Sequence, residues 1–100
     1  MQSVIVRVTH RAANHIAQAV DWWEVNRPLA PGAVRDELEE AVAILKAQSE
    51  IGAVAFSARI QDVRRIHLSR IHYFLYYRAQ PGRIDVLALW HTSRGTGPHL

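Results

Sequence analysis

A chain of 100 residues, 49% hydrophobic and 21% charged, has the composition of one globular domain and not of a disordered segment. It has no cysteine, which excludes a disulfide framework and a thiolate metal site and fits a reducing cytoplasm. No signal-peptide pattern opens it and no apolar run nears the ~18 residues of a membrane span, so the expectation is a soluble cytoplasmic protein with residues 1–100 as a single domain.

Charge is unevenly spread. Residues 1–50 carry five basic and seven acidic side chains; residues 51–100 carry seven arginines against Asp62 and Asp85. The arginine fork suits phosphate and carboxylate groups, so the cationic half points to a polyanion or an acidic protein partner.

In chain order, Ser3 to Val8 alternates β-branched and polar residues and predicts a first strand. Thr9 is a helix N-cap candidate. Ala13, Ile16, Ala17, Val20 and Trp23 then recur at helical spacing, until Asn26-Arg27-Pro28 ends the helix. Pro28, Pro31 and Gly32 fill a short connection. A second amphipathic helix follows on Val34, Leu38, Ala41, Val42 and Leu45, with Asp36, Glu37, Glu39 and Glu40 early in it, where the helix dipole favours acids. Two helices so closely joined predict an antiparallel hairpin. Gln48 to Arg59 has no clear period and is left as a loop. Gln61 to Leu68 reads as a strand and Ile71 to Arg78 as another, with a tight turn at Ser69-Arg70. After the Gln80-Pro81-Gly82 turn, Arg83 to His91 reads as the last strand. Alternation there puts Ile84, Val86, Ala88 and Trp90 on one face and Leu87, Leu89 and His91 on the other, which predicts an interior strand. The whole is an α+β layout, a curved and mainly antiparallel sheet packed on a helical hairpin.

The ending "LALWHTSRG" carries an apolar strand into His91 and Arg94. One sheet face can gather His91, Arg64 or Arg65, a tyrosine and Arg94; strand register decides which. Histidine exchanges protons near neutral pH, arginine stabilises a phosphate gaining charge, and tyrosine stacks or donates a proton. Together these groups suit attack of an RNA 2′-hydroxyl on its own phosphate. The plainer reading makes His91 a strand-end hydrogen-bonding group and Arg94 a solvated one. His10 with His15, and His67 with His72, lack metal-site spacing, no phosphate-binding glycine loop precedes a helix, and Ser93 has no triad partner. No metal or cofactor is expected. Trp22-Trp23 suggests core packing, with one ring free for a partner.

The segments "THRAANHIAQAVDWWEVNRP", "VRRIHLSRIHYFLYYR" and "IDVLALWHTSRGTGP", in this order and spacing, resemble the RelE/ParE superfamily of type II toxin–antitoxin toxins over residues 4 to 98. The loop differs from the common pattern in having Ser49, where a proline often stands three residues before the glycine, here Gly52. The resemblance implies a strand–helix–helix–three-strand fold and a cognate antitoxin whose acidic C-terminal segment wraps the toxin in a hetero-oligomer. It also implies one of two targets. RelE-like members are ribosome-dependent mRNA endonucleases; for that branch the resemblance gives His91 as general acid or base, Arg65 and Arg94 as phosphate-stabilising groups and Tyr77 as a stacking or proton-donating group. ParE-like members inhibit DNA gyrase by binding it; for that branch Trp22, Trp23, Arg64 and Arg78 are the candidate partner contacts. The single lysine, Lys46, lies on the second helix and not on the middle strands, which favours the gyrase branch. A member that only binds its antitoxin or DNA is the third reading.

Overall fold

The computed structural model describes residues 3–100; Met1 and Gln2, which the single-domain expectation includes, lie outside the described residues. The elements run β1 (Ile5–Val8), α1 (His10–Asn26), α2 (Ala33–Ala47), β2 (Ala53–Val54), β3 (Val63–Leu68), β4 (Tyr73–Gln80) and β5 (Arg83–His91). The strands form one sheet in the order β1-β5-β4-β3-β2; β1 lies parallel to β5 and the other pairings are antiparallel. The α+β expectation stands, with one added strand. β2 is only two residues long, too short for alternation to mark, and exists because Ala53 and Val54 pair with Arg65 and Arg64.

α1 starts where its cap predicts, with the Thr9 hydroxyl accepting from the Ala12 N–H. Its buried stripe is Ala12, Ala19 and Trp23, with Ile16 and Val20 partly buried, whereas Ala13 and Ala17 are exposed. The apolar face is thus rotated from the expected one, because small alanines on every side of the helix leave the period ambiguous. α2 buries Val34, Ala41 and Leu45 as expected. It also buries Glu37, whose Oε1 accepts the Arg70 backbone N–H and ties α2 to the β3–β4 turn.

That turn spans Ser69–His72, longer than the expected two residues, with Ile71 buried beneath it and His72 at φ 63°. β5 holds a second departure from simple alternation. Tyr76 pairs with Ala88 but Tyr77 with Val86, so Leu87 is an extra residue, a bulge. Ile84, Val86 and Leu89 therefore join the helix-side core, while Leu87, Ala88 and the partly buried Trp90 pack on the other face with Val63 and Tyr76. Ala88 and Trp90 are parted from Ile84 and Val86, and Leu87 from Leu89, because each residue past the bulge shifts by one.

β1 stops at Val86, and beyond it α1 takes over the free edge of β5. The Thr9 N–H donates to the Val86 carbonyl, the Thr9 hydroxyl donates to the Leu87 carbonyl, and the Leu89 N–H donates to His15 Nδ1. An accepting Nδ1 requires the neutral imidazole with its proton on Nε2. Burial, reinforced by the charges of Arg11 and Arg94, holds the His15 pKa below its ordinary 6.5. The unfolded chain therefore binds the proton more readily. Stability from this residue is complete above about pH 6.5, falls as the pH drops below that value, and levels off below the folded-state pKa. The expected result is a melting temperature that declines over this acidic window, and a His15→Gln protein with a flatter profile there. An equal decline in both proteins would assign the effect elsewhere.

Candidate functional site

The sequence candidates separate into three groups. The first holds the loop between α2 and β3. Tyr77 is fully buried; its hydroxyl donates to the Ser49 carbonyl at 2.8 Å and accepts from the Gly52 N–H at 2.9 Å. Arg64, opposite Tyr77 in the ladder, donates to the carbonyls of Glu50 and Gly52 at 3.2 and 2.7 Å. Gly52 is required by this closeness, since a Cβ there would stand 2.7 Å from the tyrosine hydroxyl oxygen and 2.9 Å from the Arg65 carbonyl oxygen. Tyr77 and Arg64 are thus engaged in holding backbone.

The second group lies on the sheet face away from the helices. Arg65 stacks over Phe74 at 4.0 Å and donates to the Tyr76 hydroxyl at 3.1 Å. Arg78, next to Tyr77 on β4 and half-buried, alternates to this same face. Arg94 stacks over Trp90 at 3.9 Å, and the Trp90 indole N–H donates to the Thr96 carbonyl. Arginines laid on aromatic rings keep their charge while shedding water from one side.

The third group lines a cleft of about 590 Å³ at one end of the helix-side layer. α1 contributes Trp22, Trp23 and, just past its end, Arg27; the β3–β4 turn contributes Arg70, Ile71 and His72; Tyr73 and His91 complete it. Trp23 is core, but Trp22 is 47% exposed, its ring edge-on to Trp23 and 5.4 Å from the Arg27 guanidinium carbon. His91 faces Tyr73 across the ladder, rings edge-to-face at 5.1 Å. His91 Nδ1 accepts the Ser93 N–H at 3.1 Å and lies 2.7 Å from the Ser93 hydroxyl, so this nitrogen serves the turn that ends β5. Burial raises the Tyr73 pKa above its ordinary 10.0 despite the opposing charge of Arg94.

His91 is therefore separated from Arg65 by the thickness of the sheet, and Tyr77 from both by its burial. The four residues named for a nuclease do not meet on one face. Arg27 and Arg70, expected only as helix-end and turn residues, converge with His91 and Trp22, and so does His72, which lies in the β3–β4 turn and not in the strand expected from Ile71. The available signal was that both are chain reversals bearing arginine; which reversals are neighbours depends on the fold. Among the described residues no group of three or more metal-ligating side chains comes together, and no helix is long and apolar enough to cross a membrane.

Comparison with known proteins agrees with this architecture. Among solved structures, the chain is similar to a protein of a chromosomal ParDE toxin–antitoxin system from P. aeruginosa, with TM-score 0.70 and 23% identity over 90% of this chain and 97% of that one. It is also similar in fold to YoeB, solved as a dimer, from Staphylococcus aureus, with TM-score 0.57 and 6% identity over 88% and 95% of the two chains. Comparison with curated proteins gave no match. The family model for the ParE toxin of the type II toxin–antitoxin system, parDE, matches residues 6–95. Nearly the whole chain is covered by that match, and the chain belongs to the ParE toxin family of the RelE/ParE superfamily.

Proposed function

We propose that this toxin acts in the cytoplasm by binding DNA gyrase and blocking it, and that a cognate antitoxin holds it inactive. The division of His91 from Arg65 carries the target reading: acid–base and phosphate-binding groups that sit on opposite sheet faces cannot act on one phosphate. A binder needs no such convergence. It needs an exposed, structured apolar patch, and the hairpin tip offers Trp22, Val25 at 78% exposure and Leu29 at 100%. Antitoxin binding is supported by the charge asymmetry. An acidic C-terminal segment laid along the arginine-rich strands pairs with arginines that, Arg83 apart, form no ion pair among the described residues, and its ordering on binding is offset by a large buried surface.

The test is pulse-labelling of DNA and protein synthesis immediately after the toxin is induced without antitoxin. DNA synthesis is expected to fall first, and His91→Ala is expected to arrest growth as the parent does. A catalytic acid–base role would instead cost ~10²–10⁴-fold in toxicity. One observation favours the ribosome-directed nuclease as a second reading: the stacked Arg65 and Arg94 share a face suited to RNA bases and phosphates. Protein synthesis falling first, with Arg65→Ala inactive, would move the assignment there. No effect on either synthesis would leave a member that only binds its antitoxin.

A further inference from the structure

The cleft at the end of α1 gathers two guanidinium groups that no carboxylate pairs among the described residues; Glu37, outside the lining, accepts only the Arg70 backbone N–H. Arg27 and Arg70 come to it from separate chain reversals, with His72 beside Arg70. No carboxylate lines it, and among the described residues the one ion pair, Arg83–Asp85, lies elsewhere. Arg27 spends one of its donors on the Asn26 carbonyl; its remaining N–H groups are free, as is the whole Arg70 guanidinium among the described residues. Beside these cations stand the half-exposed indole of Trp22 and the half-buried phenol of Tyr73. Unpaired guanidinium groups attract an anion that accepts forked hydrogen bonds. Exposed aromatic faces flanked by arginine attract a flat ring, because ring–ring and ring–guanidinium stacking act together. The volume of about 590 Å³ falls within the ~300–1,000 Å³ usual for small-molecule sites.

We propose that this cleft binds a nucleotide unit, a planar base bearing a phosphate ester, with Arg27 and Arg70 on the phosphate and Trp22 and Tyr73 against the base. An acidic peptide would use the arginines and leave the rings idle; inorganic phosphate would do the same. A nucleotide uses both halves of the lining. The unit comes either free or as one residue of a single strand. The proposal is independent of which cellular target the toxin has, and its test needs neither gyrase nor ribosome.

The test titrates the purified chain with AMP, adenosine, inorganic phosphate, a short single-stranded oligonucleotide and a tetraglutamate peptide, following tryptophan fluorescence and heat. AMP is expected to quench fluorescence and to bind more tightly than adenosine or phosphate. Trp22→Leu is expected to remove most of the quench. Arg27→Ala and Arg70→Ala should each weaken AMP about tenfold, the loss that follows from one charge-assisted hydrogen bond, while Arg35→Ala on α2 leaves it unchanged. All four side chains are exposed, so melting curves should match the parent. If the oligonucleotide binds more tightly than AMP and is lost in the same variants, the natural source is a nucleic-acid strand; the reverse order assigns a free nucleotide. Failure of both AMP and the oligonucleotide to bind overturns the proposal, as does AMP binding that survives in the Arg27→Ala/Arg70→Ala double variant. Tetraglutamate binding as tightly as AMP also overturns it, in favour of an acidic-peptide site.

Discussion

Gly52→Ala is expected to lower the melting temperature by about 15 °C, from ~2–4 kcal/mol of lost stability at ~4–8 °C per kcal/mol for a domain of this size. The added methyl would lie 2.7 Å from the Tyr77 hydroxyl oxygen, 2.8 Å from a ring carbon and 2.9 Å from the Arg65 carbonyl oxygen. A flexible side chain could yield, but Tyr77 is buried and pinned at both sides of its hydroxyl, and Arg65 presents backbone of an interior strand. Movement of the loop would break the Gly52 N–H bond to Tyr77 and disturb both Arg64 bonds to the loop carbonyls. Tyr77→Phe is a companion change without steric conflict. It leaves the Gly52 N–H and the Ser49 carbonyl unpaired, at ~1–3 kcal/mol for each buried group. Thermal unfolding of the two proteins checks this. A Gly52→Ala protein that melts with the parent would mean that the loop is not held as described.

The second large effect is expected at the hairpin tip. With gyrase as the proposed target, Leu29→Asp combined with Val25→Glu should weaken its binding by more than about thirtyfold, because a charge would replace an apolar contact that must be dry in the complex, and contacts of that kind cost ~2 kcal/mol or more when lost. Both side chains are largely or fully exposed in the free toxin, so stability should stay within ~0.5 kcal/mol of the parent. Surface-captured gyrase titrated with parent and variant toxin gives the comparison. Equal affinities in two proteins with equal melting temperatures would remove the hairpin tip from the target contact. Loss of antitoxin binding alone would reassign the patch to that partner.

The sequence made the long elements legible where local chemistry and period agree. The strand Arg83–His91 has both the ends that its pattern predicts, and Thr9 caps α1 as its hydroxyl suggests. What escaped depends on neighbours that are remote in sequence. β2 is a strand only because β3 lies beside it. The Leu87 bulge reflects how β5 fits β4 on one edge and α1 on the other, and nothing in "VLALW" marks it. Since a one-residue shift exchanges faces, that bulge alone defeats an assignment of side chains by alternation. The candidate site suffered similarly. The chemistry of His91 and Trp22 marks them in the sequence, but their sharing of one cleft with Arg27 and Arg70 arises from the packing of a helix end on a hairpin turn. Tyr77 shows the converse: a tyrosine amid arginines invites a catalytic role, yet burial commits its hydroxyl to backbone.

The parallel pairing of β1 with β5 bears on how the toxin comes into being. Among the described residues Ile5–Val8 has only Arg83–Val86 as its sheet partner, and the Thr9 and His15 bonds of α1 also end on β5. The segment synthesised early therefore has nowhere to dock until the final strand has left the ribosome. Contacts of such long sequence separation delay folding, because the intervening chain must first be drawn together. The helices can form in the meantime, but the sheet cannot close. Assembly of the native toxin is in this way postponed until after translation of β5.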